Sequence, residues 1–166
     1  TCFFDSLACA FLALEHDKVQ KFCSLPYIAD SSGSVGVIGT GIKTNVVDAA
    51  FLNGALIRWL DFNDTWLAKE WGHPSDNLSV ILALADYLKV KQNKTISFKE
   101  ILNLMVIAHE IQGALAIENS FNKEGLDHVV LVKIASAVVA SKMLGHNHQQ
   151  MNAVVSNALV DGQSLR

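Results

Sequence analysis

Residues Ser97 to Glu118 read SFKEILNLMVIAHEIQGALAIE, and this stretch decides the fold class. Ser97 and Glu100 form a capping box: a hydroxyl and a carboxylate three residues apart satisfy each other's free backbone N–H groups at a helix start. Beyond the box, apolar residues recur at three- and four-residue spacing, the period of an α-helix. The same period governs the rest of the chain. It predicts a first helix over about Cys2–Glu15 and a second from Asn45, capped with Asp48, to about Leu60. A third runs from Pro74-Ser75-Asp76, whose proline, hydroxyl and acid suit a first turn, to about Val90. A fifth covers about His128–Leu144, and a sixth starts at Asn147 with Gln150 and runs to the end. Helices this apolar all round are buried on several sides. Only Val35–Ile38 shows a trace of strand alternation. The expected fold is all-α, a single multi-helix bundle over residues 1–166.

Composition narrows the function classes. Hydrophobic residues make up 51% and charged residues 17% of the chain. Free-standing domains carry about a quarter charged residues, so more chain or a partner is expected to cover part of this surface. The net charge of −3, without a basic run, argues against nucleic acid. Leu78–Leu84 and Leu126–Ala140 are too short or too interrupted to span a bilayer, so no membrane is expected. Cys2, Cys9 and Cys23 lack metal-type spacing and suit a reducing compartment. Both ends read as cut: Thr1-Cys2-Phe3-Phe4 resembles mid-helix, and Ser164-Leu165-Arg166 stops without a tail.

Two motifs are tempting and fail. Val35-Gly36-Val37-Ile38-Gly39-Thr40-Gly41 imitates a dinucleotide-binding turn, but Thr44 stands at the third glycine position and no strand–helix alternation follows. Residues Ser31–Gly41 therefore read as a loop. His109-Glu110 begins like a zinc-protease helix, but Gly113 stands where the second histidine belongs. A buried, hydrogen-bonded His109–Glu110 pair is expected instead. Asn63-Asp64-Thr65, Asn77-Leu78-Ser79 and Asn93-Lys94-Thr95 match glycosylation spacing only. His16, His146 and His148 read as solvated or capping residues.

The chemistry is concentrated in Arg58–Asn77, RWLDFNDTWLAKEWGHPSDN. All three tryptophans stand here beside ionisable groups, a mixture of apolar walls and placed polar heads. Asp61, Asp64 and Thr65 fall within five residues, and His73 precedes a predicted helix. A carboxylate can orient a histidine or act as a base, and a hydroxyl can hold an anionic oxygen. Arg58 and Lys69 can pair with substrate carboxylates. His128 opens an apolar helix, where the macrodipole disfavours its cation and keeps it available as a base. A core histidine bonded to a carbonyl is the competing reading.

These residues resemble the MmgE/PrpD family. The resemblance is carried by Arg58-Trp59-Leu60-Asp61-Phe62-Asn63-Asp64-Thr65-Trp66 and Trp71-Gly72-His73-Pro74-Ser75-Asp76-Asn77. It continues through Ala108-His109-Glu110-Ile111-Gln112-Gly113, Glu118-Asn119-Ser120-Phe121-Asn122 and Gly125-Leu126-Asp127-His128, and ends at Asp161-Gly162-Gln163-Ser164-Leu165-Arg166. It implies an iron–sulfur-independent hydro-lyase that converts 2-methylcitrate to 2-methyl-cis-aconitate in propionate breakdown. No cofactor and no metal are expected, and the partners are a tricarboxylate substrate and a second copy in a homodimer. The resemblance also implies Asp61, His73 and His128 as catalytic residues. Thr65 would bind substrate, with Arg58 and Lys69 as candidate cations. The compartment would be a bacterial cytoplasm or a fungal mitochondrial matrix. Family members are longer, with an α/β lid and further basic residues beyond the segment matching Arg166. The alternatives are a decarboxylase or isomerase acting on a related tricarboxylate, and a non-catalytic helical module.

Overall fold

The computed structural model describes residues 1–25 and 33–166. Seven α-helices account for most of the described residues: α1 (Cys2–Ala13), α2 (Asp17–Cys23), α3 (Val46–Arg58), α4 (Leu78–Gln92), α5 (Phe98–Glu118), α6 (Val129–Met143) and α7 (His148–Val160). Two minimal antiparallel pairs interrupt them. β1 (Val35–Gly36) pairs with β2 (Lys43–Thr44), and β3 (Trp66–Leu67) pairs with β4 (Trp71–Gly72). The all-α expectation holds.

Local signals placed several helix starts. The Asn45 side chain accepts from the N–H groups of Val47 and Asp48. Both capping boxes, Ser97 with Glu100 and Asn147 with Gln150, are formed. The expected start at Pro74 needs a correction. Pro74–Asn77 is a 3-10 helix, and α4 begins only at Leu78. Asn77 turns its side chain back to the Pro74 carbonyl and holds the tighter turn. The first helix also ends earlier than its period predicts. The chain turns and starts α2 at Asp17, a helix of seven residues and too short for a periodic signal.

The core lies between α3, α4, α5 and α6, with α1 packed on α3. Leu52, Leu56 and Ile57 meet Leu78, Ile81, Leu84 and Leu88, closed by Leu104, Met105, Ala108, Ala135 and Val139. Each fully buried leucine or isoleucine contributes about 1.5–3 kcal/mol, so this seam dominates the stability. α5 is long and apolar enough by composition to cross a membrane. In this fold it packs on α4 and α6, with Leu104, Met105, Ala108 and Gln112 buried.

The glycine-rich segment is partly outside the described residues, at Ser31 and Ser32. The rest is a strapped turn. The Gly36 N–H donates to Asp86 at 2.7 Å, and the Ile38 N–H to Asn53 at 2.9 Å. Gly39 adopts φ +68° against Phe11 and Leu14, where a Cβ would collide.

A second small cluster matters more for function. Ala116, Val130, Leu131 and Ile134 pack with Trp66, Leu115 and Phe121 beneath the β3–β4 hairpin. This seats the hairpin on α5 and α6. The Cβ of an alanine at Gly113 would stand 2.8 Å from the Trp66 ring, so the helix must be bare there.

Candidate active site

The segment between α3 and α4 folds back on itself through buried polar side chains. Asn63 donates to Ser75 Oγ at 3.0 Å and to Asp76 Oδ1 at 2.9 Å. Asp64 accepts the Ser75 N–H at 3.0 Å on one carboxylate oxygen and faces His109 Nε2 at 3.2 Å with the other. Asn77 donates to Gln112 Oε1 and accepts from Ser136, tying the 3-10 helix to α5 and α6. Buried polar groups are tolerated because nearly all are paired.

This lattice holds His73. Its ring is 4% exposed, and Nδ1 lies 2.7 Å from the Asp64 carbonyl oxygen. A carbonyl only accepts, so Nδ1 carries the proton, and in the neutral ring Nε2 presents the lone pair. Nε2 is buried and has no partner. Gly72, just before it, passes so close to Gln112 that a Cβ would sit 2.7 Å from Nε2 of that side chain.

His128 stands at the N-terminal end of α6, with its ring centroid 5.8 Å from that of His73. Trp71 fills the space beside both rings. It stacks on His128 at 3.9 Å and meets His73 edge-on at 5.6 Å. The Arg166 guanidinium lies over the same indole, 5.3 Å from its centroid. A buried carboxylate braces this arrangement. Glu70 accepts from the Asn122 backbone and side chain, and Asn122 accepts in turn from Arg166.

The electrostatics separate the groups. Burial pushes His128 below the ordinary histidine value. Asp127 opposes the shift, and the charges of His73 and Arg166 reinforce it. The Asp127 carboxylate approaches His128 Nδ1 to 2.9 Å but off the line of a hydrogen bond, so the ring nitrogen is left without a bonded partner. Arg58 pairs with the Asp61 carboxylate and holds it low, helped by His73 and His128. Asp61 has φ +58°, the left-handed region that aspartate tolerates better than most residues. Burial raises Asp76 to about 6 against the pull of His73 and Arg58. His109 is raised to about 10, first by its bond to Asp64 and then by Cys2. Burial works to raise Asp64, but hydrogen bonds from His109 and Ser75 leave it lowered.

The structure thus brings together His73, His128, Asp61 and Arg58. Thr65 is exposed in the segment that leads into β3. Lys69 sits at the hairpin tip, where its ammonium reaches the Glu118 carbonyl at 3.5 Å and not the histidine pair. The expected His109–Glu110 pair does not form: Glu110 is exposed, and His109 turns inward to Asp64. Asp76 and Arg166 are neighbours of the site that residue spacing did not single out. Asp76 reads in sequence as an ordinary first-turn acid. Arg166 reaches the site only because Leu165 pairs with Leu126 and the Arg166 N–H donates to the Gly125 carbonyl.

Similarity to known proteins runs along the whole chain. It is 51% identical to the probable 2-methylcitrate dehydratase of Saccharomyces cerevisiae, with 99% of this chain and 34% of that protein covered. It is 52% identical to the 2-methylcitrate dehydratase of Escherichia coli strain K12, covering 99% of this chain and 35% of that one. A Yarrowia lipolytica relative, named a mitochondrial 2-methylcitrate dehydratase, is 49% identical over 99% of this chain and 33% of its own length. The chain spans about a third of the length of these relatives. The MmgE/PrpD N-terminal domain matches residues 1–166, and the chain belongs to the MmgE/PrpD family.

Proposed function

We propose that this chain is the helical, histidine-bearing part of a 2-methylcitrate dehydratase. The observation that carries the reading is the His73–His128 pair, closed by Trp71, with His73 Nε2 buried and unbonded. Relatives of about 50% identity that bear this name support the substrate.

Dehydration removes a proton from the carbon next to a carboxylate and expels the hydroxyl from the adjacent carbon. One group must accept the proton and another must deliver one to the departing oxygen, which leaves as water. His73 Nε2 has the lone pair to accept. His128 lies across the indole and is the partner for the leaving hydroxyl. Asp61 acts on the pair through its charge from the rim, Thr65 hydrogen-bonds the substrate, and Arg58 binds a carboxylate. Arg166 is a better second cation than Lys69, which is engaged at Glu118. Charge that develops on the substrate carboxylate requires such fixed cations nearby.

The working enzyme is proposed to be a homodimer. Phe4, Phe11, Phe62, Leu67 and Leu165 are each more than half exposed, which supports cover by further chain or a second copy. The proposed compartment is bacterial cytoplasm or fungal mitochondrial matrix.

The test is direct. 2-Methylcitrate is added to a protein extended past Arg166 to the length of its relatives, and the ultraviolet absorbance of the unsaturated acid is followed. Turnover that falls at least about a hundredfold in His73→Ala and in His128→Ala is expected for lost acid–base groups. Full activity in both variants would overturn the assignment.

A further inference from the structure

Outside the histidine pair, three ligating side chains converge from distant parts of the sequence. Cys2 comes from α1, Asp64 from the segment after α3, and His109 from α5. Cys2 Sγ lies 3.6 Å from Asp64 Oδ2 and 3.9 Å from His109 Nε2, and those two atoms are 3.2 Å apart. We propose that Cys2, Asp64 and His109 form a three-ligand site for a zinc-like divalent cation.

The distances are those a tetrahedral metal needs. Bonds of about 2.3 Å to sulfur and about 2.0–2.2 Å to nitrogen and oxygen set neighbouring ligand atoms about 3.4–3.6 Å apart. The observed triangle departs from that face by no more than about 0.4 Å on any edge. The three atoms are a thiol, an imidazole and a carboxylate, a donor set that suits borderline cations and not calcium or magnesium. His109 is already oriented by a second contact, as metal-bound histidines are: Nδ1 donates to the Met105 carbonyl at 2.8 Å and leaves Nε2 for the metal. A shallow, mostly apolar pocket lined by Phe3, Leu102, Met105, Val106 and Glu110 borders Cys2 and His109 and has room for water or a small ligand.

Without metal, Asp64 and His109 satisfy each other as an ion pair, while the thiol is only a weak neighbour to both. Metal binding makes use of all three. It releases the thiol proton of Cys2 and the imidazolium proton of His109, and forms one bond to each of the three groups. Because the Asp64 carbonyl also holds His73, the cation would brace the histidine pair from behind without touching substrate.

The experiment uses cobalt(II), a spectroscopic stand-in for zinc, added to the whole 166-residue chain under reducing conditions. The expected result is a near-ultraviolet thiolate-to-cobalt band with the visible bands of a tetrahedral ion, saturating at one cobalt per chain and removed by zinc. Cys2→Ser, with unchanged circular dichroism, should abolish the thiolate band. Asp64→Asn and His109→Gln should each weaken binding by at least about tenfold. A band that persists in Cys2→Ser, and so comes from Cys9 or Cys23, would overturn the proposal, as would no band in the parent chain. A second measurement needs no variant. Zinc should protect Cys2 from alkylation, read by peptide mass, and equal alkylation with and without zinc would also overturn it.

Discussion

Replacing Asn77 by alanine tests whether the polar lattice under His73 is a source of stability. Asn77 is 1% exposed and makes three hydrogen bonds with its side chain: to the Pro74 carbonyl at 2.8 Å, to Gln112 Oε1 at 2.9 Å, and from Ser136 Oγ at 2.7 Å. Truncation orphans two acceptors and one donor. Ser136 is only half-buried and can redirect its hydroxyl, so its loss is small. Gln112 is fully buried, and its Nε2 is already unpaired, so its whole amide would be left without a bond. At about 1–3 kcal/mol for each buried group left unsatisfied, the two acceptors set a loss of about 2–6 kcal/mol. That is a large part of the roughly 5–15 kcal/mol that holds a domain together. With a urea dependence near 2 kcal/mol per molar, the unfolding midpoint should fall by about 1–3 M, read by far-ultraviolet circular dichroism. Ser136→Ala alone should cost about 1 kcal/mol, but almost nothing when added to Asn77→Ala, because its partner is already gone. A midpoint shift below about 0.25 M, or full additivity in the double variant, would refute the view that these bonds act as one network.

Three further outcomes are expected. Gly113→Ala should destabilise the fold by about 1–3 kcal/mol in a thermal or urea melt, although alanine ordinarily improves a helix by about 1 kcal/mol, because its Cβ meets the rigid Trp66 ring at 2.8 Å; a gain in stability would show that the contact yields. Asp76, raised to about 6, prefers to be neutral in the fold, so its stabilising contribution is lost as the pH rises through that value. Asp76→Asn should then stabilise the protein at pH 8 by on the order of 2 kcal/mol, after allowing for solvent at its half-buried edge, and little at pH 4. His128, held below the usual histidine value by burial and by His73 and Arg166, should titrate by NMR below a free histidine, and Asp127→Asn should lower it further. Since its folded value is depressed, the stability it contributes is present above the unfolded value and is lost as the pH falls through the folded one. A His128 titration at or above that of free histidine would contradict this placement.

The helices were legible because their signals are local. Ser97 and Glu100, or Asn147 and Gln150, act within one turn and need nothing from the rest of the molecule. The 3-10 helix at Pro74 was not legible, since it depends on Asn77 meeting Gln112 and Ser136, which lie 35 and 59 residues away. The site divided in the same manner. His73 and Asp61 became candidates because they stand in a stretch too aromatic and too ionisable for a connector. His109 was misread because its neighbour in sequence, Glu110, is a poor guide to its neighbour in space, Asp64. Lys69 looked suitable by charge alone, yet the two-residue strands on either side aim it at the end of α5. Cys2 carried no signal at all, since its partners lie 62 and 107 residues along the chain.

The histidine pair can also be understood through what surrounds it. Two rings with centroids 5.8 Å apart, largely shielded from water, cannot both be cationic without strong repulsion, and positive charge on His73 lowers the affinity of His128 for a proton. Arg166 adds a permanent positive charge beside Trp71. His128 is therefore driven toward the neutral form until an anion enters. Under the proposed function, a substrate that brings several carboxylates would reverse that balance, because its negative charge would favour a proton on His128. The site would then gain its acid in the presence of the molecule that needs one, with His73 Nε2 still open as the acceptor. A site tuned this way gains from excess positive charge before substrate arrives. This explains how Asp61 can be spent on Arg58 at the rim and Glu70 on Asn122 beneath the indole, with neither bonded to the histidine rings.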